Sequence, residues 1–546
     1  MCGIFCYINN NNNNTTFNTP KLLENFNKIG VRGPDNSQYI IKNNIFLGFH
    51  RLCINDLTNV GNQPMKYKDY YLICNGEIFN HLNIKDTFRF KPTSNSDCEI
   101  ILHLYDHLIN DNVNYNVNDN VNDNVIHKLC NHLDGEFSFI LYDSKLKKIY
   151  IARDPYGVRP LFIGTTENND YVFSSELKGM NNLVKSSEQF IPGSYMILDN
   201  TLDNKLNLNY HKYHKINYNK LNFNNELIYD NLNKVFRKAV YKRMMSDKEI
   251  CSLLSGGLDS SLVAAIVSDK LGPYKLKTFS IGIKGSPDLK YAKIVADHIK
   301  SIHYSIELSE KEFLDAIETV IVSIESYDTT TVRASVGNYL VSKYIKDNTD
   351  CKVVFNGDYA DEVCGGYKYF KKTDNDEMFH NECIRLLNDI HYFDCLRSDR
   401  SISNNGLEAR VPFADKDFVN YYLSINPELR KSFNNIEKYT LRQAFSKDNL
   451  LPDAVLWRSK EAFSDGITSE TRSWHTIIKE FVDLKISDEY FEKNKNKYEH
   501  NIPILKESFY YREIFEKHYN GFSNVIPYFW MPLWCDETND PSARSY

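Results

Sequence analysis

Leu253-Leu254-Ser255-Gly256-Gly257-Leu258-Asp259-Ser260-Ser261 is the stretch around which the rest of the chain is arranged. The residues before it, Glu249 to Leu254, read as a short apolar strand. Those after it, Leu262 to Val267, are apolar enough for a buried helix. A strand, a glycine turn and a helix start together make an anion site, because free backbone N–H groups and the positive end of the helix dipole meet at the turn. The two glycines let the backbone approach a phosphate closely. Ser255, Ser260 and Ser261 add hydroxyl donors, and Asp259 can hold Mg²⁺. No Lys follows the second glycine, so this is not a Walker A loop. Read without its surroundings, the stretch is also compatible with an ordinary helix N-cap.

The loop resembles the pyrophosphate loop of the ATP pyrophosphatase superfamily. Such enzymes cut ATP between the α and β phosphates, adenylate a carboxylate or carbonyl, and let a nitrogen nucleophile displace AMP. Farther along, Lys277 to Ile283 reads as a second core strand, Asp288 to Ile299 as a helix, and Lys352 to Phe355 as another strand. This alternation predicts an α/β doubly wound parallel sheet, with ligands at the carboxyl ends of its strands. Asn356-Gly357-Asp358-Tyr359-Ala360-Asp361-Glu362 then sets three carboxylates beside a glycine turn. Their mutual repulsion needs a positive partner, and Mg²⁺ held by Asp361 together with Asp259 is the expected answer. The superfamily resemblance places Leu253 and Ile281 around adenine. It puts Ser255, Gly256, Gly257, Asp259, Ser260, Asn356 and Gly357 on the nucleotide.

Bulk properties narrow the field. A chain of 546 residues suggests two to four domains. With 42% hydrophobic and 25% charged residues and a net charge of −6, nothing points to nucleic acid or to an anionic membrane surface. No apolar run approaches the length of a transmembrane helix, and the N-terminus lacks the plan of a secretory signal. Twelve cysteines without CxxC spacing argue against a zinc site or a disulfide framework. A reducing, cytoplasmic setting is expected. The Asn-rich runs at 9–14 and 111–124 are assigned no function.

The N-terminus carries separate chemistry. Cys2 follows Met1, and a small second residue permits removal of the initiator. A terminal Cys has its own base, since an α-amine of pKa about 7.7–8.0 can take the thiol proton near neutrality. Alone, Cys2 is equally a small residue entering a first strand. Its context adds Arg32-Gly33-Pro34-Asp35, then His50-Arg51-Leu52-Cys53-Ile54-Asn55-Asp56, Gln63-Pro64-Met65, Asn75-Gly76-Glu77 after a strand, and Ser96-Asp97-Cys98-Glu99 opening a helix with Ser96 and Asp97 as capping types. This series resembles the glutaminase domain of class II, N-terminal-nucleophile glutamine amidotransferases.

The resemblance implies an α+β αββα sandwich over residues 2–200, closed by strands such as Leu133 to Asp143. It implies that Cys2 attacks the glutamine side-chain amide, and that Asn75 and the Gly76 N–H form the oxyanion hole. Arg51 would pair with the α-carboxylate of glutamine, and Asp97 and Glu77 with its α-ammonium. Backbone groups of Leu52, Cys53, Ile54 and Asn55 would line the same pocket. An anion reader beside two cation readers is what an amino-acid zwitterion requires.

Residues 201–225 lack amphipathic period and read as a linker before a second domain, 226–546. Tyr327 to Ser335 includes Arg333, suited to an anionic substrate group. Arg400-Ser401-Ile402, Gly406 to Asp415, Leu456 to Gly466 and the ending Trp530-Met531-Pro532-Leu533-Trp534 complete a resemblance, over nearly the whole chain, to glutamine-dependent asparagine synthetases. That resemblance implies glutamine, aspartate and ATP as substrates and Mg²⁺ as cofactor; enzymes of this kind are often homodimers, but no interface can be read in the sequence. It gives Lys460 a role in neutralising the departing pyrophosphate, Arg333 and Asp358 roles on aspartate and its adenylate, and Glu408-Ala409-Arg410 a place along an ammonia route.

One departure stands out. The family's Ser-Gly-Glu-Gly-Ser-Asp-Glu loop has Asn356, Asp358, Tyr359 and Ala360 here in place of Ser, Glu, Gly and Ser. Asp358 keeps the carboxylate but reaches one methylene less. Two rivals share the two-domain plan. A β-lactam-synthetase-like enzyme would not need Cys2, Arg51, Asn75 and Asp97, and a disabled synthetase rests on Asp358 alone.

Overall fold

The strands of the N-terminal half are β1 (Gly3–Ile8), β2 (Asn36–Lys42), β3 (Ile45–Arg51), β4 (Met65–Tyr67), β5 (Tyr70–Ile78), β6 (Gly135–Asp143), β7 (Lys148–Arg153), β8 (Phe162–Thr165), β9 (Tyr171–Ser174), β10 (Ser186–Gln189), β11 (Ser194–Asp199) and β12 (His211–Lys212). They form two six-stranded antiparallel sheets, ordered β10-β8-β9-β1-β3-β2 and β12-β11-β7-β6-β5-β4. β3 is buried at every residue, and β6 at all but Gly135. An antiparallel strand is buried this way only when both faces of its sheet are covered.

Alternation along each strand shows what covers them. Ile4, Cys6 and Ile8 of β1 meet Ile73, Ile140 and Ile151 of the other sheet in one apolar core. Phe5 turns the other way, onto Phe26 of the helix Thr19–Asn27 at 6.1 Å. Phe137, Phe139 and Leu141 of β6 face the helices Ile100–Asn112 and Val121–His132 through Ile101, Tyr105, Ile126 and Leu129. The layers therefore run helix, sheet, sheet, helix, as expected. Each fully buried Ile or Phe contributes about 1.5–3 kcal/mol.

The computed structural model describes residues 1–10, 17–112, 121–199, 208–216, 218–459, 466–468, 472–534 and 539–541, the side chains of 112 and 121–124 excepted. The chain divides into two units: Met1–Lys215 with Met245–Lys248, and Ile216–Met244 with Glu249–Tyr546. The first division falls inside the stretch read as a linker. Among the described residues no helix is long and apolar enough to cross a membrane.

The second unit holds a parallel sheet of β13 (Ile250–Leu253), β14 (Lys277–Ile283), β15 (Ile302–Leu308), β16 (Val353–Phe355) and β17 (Glu408–Arg410), in the order β15-β14-β13-β16-β17. The chain moves outward from β13 to β15, then returns to the other side of β13 to add β16 and β17. That reversal opens a crevice between the ends of β13 and β16, where such sheets bind ligands. The helix Leu258–Leu271, which carries the end of the quoted stretch, is buried at Leu258 and continuously from Ser261 to Ser268. A helix buried nearly all round needs apolar residues on every side, and Leu262 to Val267 supply them.

Candidate functional site

In the N-terminal unit Cys2 lies half-buried at the head of β1. Its Sγ is 3.5 Å from the backbone N of Leu52 and 3.7 Å from the Leu52 carbonyl oxygen. Arg32 donates from Nε to the Cys2 carbonyl (2.8 Å) and from Nη1 to Glu176 (2.8 Å), so a buried ion pair fixes the backbone beside the thiol. Arg32, from the Arg32-Gly33-Pro34-Asp35 stretch, is thus a brace for Cys2. Met1 is buried, with its sulfur against Arg159.

Asn75 and Gly76 sit in the middle of β5. Asn75 is 1% exposed, and its Nδ2 makes no hydrogen bond. A Cβ on Gly76 would come within 2.6 Å of the Phe137 Cα on the paired strand, so glycine is required there.

Arg51, at the end of β3, is buried. Its guanidinium donates to the carbonyls of Thr58 (2.7 Å), Asn55 (3.3 Å) and Asp56 and to Asn62 Oδ1 (2.7 Å). The arginine thereby holds the loop 52–62 in place. From that loop the Asn55 side chain donates to Glu77 and, at 3.4 Å, to Asp97. The structure thus brings Asn55, Glu77 and Asp97 together. Burial raises the Asp97 carboxyl above its ordinary range, against the N–H of Ile78, which donates to it at 2.6 Å. This corrects the expectation of Ser96 and Asp97 as helix caps. Neither side chain caps the following 3₁₀ turn Asp97–Glu99, because the Asp97 carboxylate is turned toward Ile78 and Asn55. The Cys53 N–H goes to Asp35 (2.7 Å).

In the second unit the carboxyl ends of β13, β14 and β16 open onto a cavity. Its lining includes Leu253, Ser255, Gly257, Asp259, Ser260 and Ile281, and also Asn356, Gly357, Asp358 and Asp361. Of the residues expected around ATP, Leu253, Ser255, Gly257, Asp259, Ser260, Ile281, Asn356 and Gly357 thus share one cavity, and Gly256 is not part of its lining. Gly256 takes φ +74°, and a Cβ there would lie 2.5 Å from the Ala292 nitrogen. Ser260 Oγ accepts from the Ser255 N–H (3.1 Å) and lies 3.0 Å from Ser255 Oγ, which tightens the turn. Gly357 lets the second loop close on the first, since a Cβ there would meet the Ser260 nitrogen at 2.6 Å.

Asp259, Asp361 and Asp358 have positive partners in the protein itself. Lys438 Nζ lies 2.6 Å from both Asp259 and Asp361. Burial would lower its pKa, but the two carboxylates outweigh that and raise it. Arg397 Nη2 lies 2.7 Å from Asp358 and 2.8 Å from Asp394. Burial pushes the Asp358 carboxyl up, and the charge of Arg397 pulls it back. Glu362 is pushed well above the carboxylate range by burial and by the charges of Asp394 and Asp361, and it accepts from the Tyr367 hydroxyl. Arg458 reaches Gly256 O at 3.2 Å and Asp288 at 3.5 Å, over the face of Tyr291.

Arg333 is placed elsewhere. It lies in the helix Thr329–Asn348 and gives its guanidinium to Glu507 (2.8 and 2.6 Å), Asp540 (2.9 and 3.1 Å) and His475 (2.8 Å). Its neighbours Thr330 and Ala334 line the cavity instead. Arg410, in β17, pairs with Glu408 at 2.6 Å. Lys460 lies outside the described residues. Sequence reasoning did not anticipate Arg397, Asp394 or Lys438 in the site. Its one signal was the excess of acid in the 358–362 loop, which demanded cations without saying where they came from.

Residues 49–182 match the family described as a glutamine amidotransferase domain, and residues 231–381 and 371–535 match the family described as asparagine synthase. An antiparallel amidotransferase unit and a phosphate-loop α/β unit on one chain define a class, the glutamine-dependent ligases. The chain is 43% identical over 547 residues to the glutamine-hydrolyzing asparagine synthetase of Homo sapiens, covering 95% of this chain and 94% of that one. The enzymes of Pongo abelii and Gallus gallus give the same values. It belongs to the glutamine-hydrolysing asparagine synthetase family.

Proposed function

We propose that this chain makes asparagine from aspartate, with nitrogen from glutamine and energy from cleavage of ATP to AMP and pyrophosphate. With Met1 removed, the free α-amine of Cys2 takes the thiol proton, and Sγ attacks the glutamine side-chain amide. The tetrahedral oxyanion is held by Asn75 Nδ2 and the Gly76 N–H, donors placed where charge develops. Ammonia leaves, and water releases glutamate from the thioester. Arg51 reads the α-carboxylate, and Glu77 with Asp97 the α-ammonium. Backbone groups of Leu52, Cys53, Ile54 and Asn55 complete the pocket.

At the second site the N–H groups of Gly256 and Gly257, with Ser255 and Ser260, hold the phosphates, and Leu253 and Ile281 flank the base. The aspartate β-carboxylate attacks the α-phosphorus and pyrophosphate leaves. Ammonia then adds to the β-aspartyl adenylate, AMP leaves, and Asp358 accepts the proton that nitrogen sheds. Lys438 and Lys460 oppose the charge of the departing pyrophosphate. Asp259 and Asp361 suit Mg²⁺, since both are oxygen donors and the buried Asp259 Oδ1 makes no hydrogen bond. Among the described residues no group of three or more His, Cys, Asp or Glu could hold a metal alone. Mg²⁺ here would therefore share its coordination with phosphate oxygens and water, and it would supply charge neutralisation on the phosphates.

The observation that carries the reading is the buried Asn75 amide with an unused donor, in the unit that presents Cys2 half-exposed beside the Leu52 backbone. The test is Cys2→Ala. Asparagine formation from glutamine should vanish while formation from ammonium salts persists. Retained glutamine use, or loss of both, would contradict the assignment.

A further inference from the structure

The N-terminal unit is not continuous in sequence. It stops at Lys215, the chain builds the helix Asn225–Lys242 in the other unit, and Met245–Lys248 returns to complete the first. The returning segment bonds to the loop that follows Arg51. The Asp247 N–H donates to the Ile54 carbonyl (2.9 Å), and the Asp247 carboxylate accepts from the Asp56 N–H (2.9 Å). Ser246 holds the segment in shape, its Oγ accepting from the Lys248 N–H (2.9 Å) and donating to the Lys248 carbonyl (2.8 Å).

Asp56 is the loop's hub. It is 4% exposed and held at φ +58°, a left-handed conformation that is uncommon for a residue with a side chain and that Asp tolerates better than most. Its carbonyl accepts from Arg51. One carboxylate oxygen takes the Thr58 N–H (2.9 Å) and hydroxyl (2.6 Å), and the other takes the Asn95 N–H (2.8 Å). The fourth of these polar groups, its N–H, is satisfied by Asp247. Without that acceptor a buried N–H is left unpaired, and the Asp56 backbone moves to recover a partner. Arg51 and Asn55, both tied to this loop, move with it.

We propose that Asp247 is a positioning residue of the glutamine pocket, contributed by the segment that leads directly into β13 and the phosphate loop. It touches no reacting atom. It fixes the left-handed turn at Asp56, and so sets Arg51 and Asn55 where the ends of an amino acid are read. The N-terminal unit therefore lacks a complete pocket until the chain has passed through the helix of the second. The inference rests on glutamine hydrolysis at Cys2.

The test uses the full chain with Cys2 freed. Steady-state glutamine hydrolysis and ammonia-dependent asparagine synthesis are measured for the wild type, Asp247→Ala and Asp247→Asn. Asp247→Ala should raise the KM for glutamine about ten-fold with a smaller change in kcat. Asp247→Asn retains an acceptor oxygen and should restore KM. Ammonia-dependent synthesis should match the wild type in both. An unchanged KM in Asp247→Ala, an Asn variant as impaired as the Ala variant, or an equal fall in ammonia-dependent synthesis would overturn the proposal. A wild type that hydrolyses no glutamine would overturn the function itself, and the proposal with it.

Discussion

Asn75 is a buried amide whose Nδ2 has no partner, in the middle of a nine-residue strand. Leaving such a donor unpaired costs about 1–3 kcal/mol, which a fold retains when a partner arrives during the reaction. Asn75→Ala should therefore lower kcat for glutamine hydrolysis by about 10²–10³-fold, with ammonia-dependent synthesis unaffected, as steady-state assays of both reactions would show. Asp358 is the matching residue in the other unit. Shorter than the family's Glu, it is nevertheless gripped by Arg397, which is itself oriented by Asp394. The carboxylate is held in place, so the departure does not imply a dead site. Asp358→Asn removes the anion and leaves Arg397 with one partner. Asparagine formation from ammonia should fall by about 10²-fold while glutamine hydrolysis stays near wild type. Equal loss of both reactions would mean that Asp358 serves the fold instead.

Among the elements, the end of the helix Asn225–Lys242 shows how the second unit is tied together. Asp415 caps the helix Lys416–Ser424, accepting from the N–H groups of Asp417 (3.1 Å) and Phe418 (3.2 Å). Its other oxygen pairs with Arg243 at 2.7 Å and with Lys242. Burial alone would raise its pKa, but Arg243 and Lys242 prevail and hold it at about 2, below the ordinary 3.8. A folded pKa below the unfolded one means a contribution complete above pH 3.8 and lost as pH falls toward 2. The size of that contribution is about 2 kcal/mol. Asp415→Asn should destabilise the chain by about 3 kcal/mol at neutral pH, because it removes the buried anion that Arg243 and Lys242 share. Urea midpoints of variant and wild type should converge between pH 4 and pH 2. A gap that stays constant across this range would contradict the assignment.

Across the whole molecule, what the sequence disclosed is contiguous and what it hid is not. The Ser255–Ser261 loop, the 356–362 loop and β14 each lie in one run, where strand period and glycine placement are local signals. The alternation of strands and helices around them was enough to expect a parallel sheet with ligands at the carboxyl ends of its strands; that the crevice lies between β13 and β16 is seen only in the strand order. The layered N-terminal sandwich came from the family resemblance, and the buried strand faces account for it physically. Lys438 meets Asp259 across 179 residues, and nothing in the sequence around Ile436-Glu437-Lys438 announces a phosphate-site cation. Arg333 shows the converse error of local reading. The arginine in the Tyr327–Ser335 stretch suggested an anionic substrate group, yet Glu507 and Asp540, far along the chain, hold it.

The central claim is that two chemistries on one chain serve one product. The direct measurement is a single incubation of the full chain, with Cys2 at its N-terminus, with glutamine, aspartate, ATP and Mg²⁺, in which glutamate, pyrophosphate and asparagine are quantified together. Pyrophosphate and asparagine rising in equal amounts, with glutamate at least equal to both, is the predicted result. Glutamate accumulating with neither pyrophosphate nor asparagine would contradict the account, leaving a glutaminase joined to a unit that does not activate aspartate.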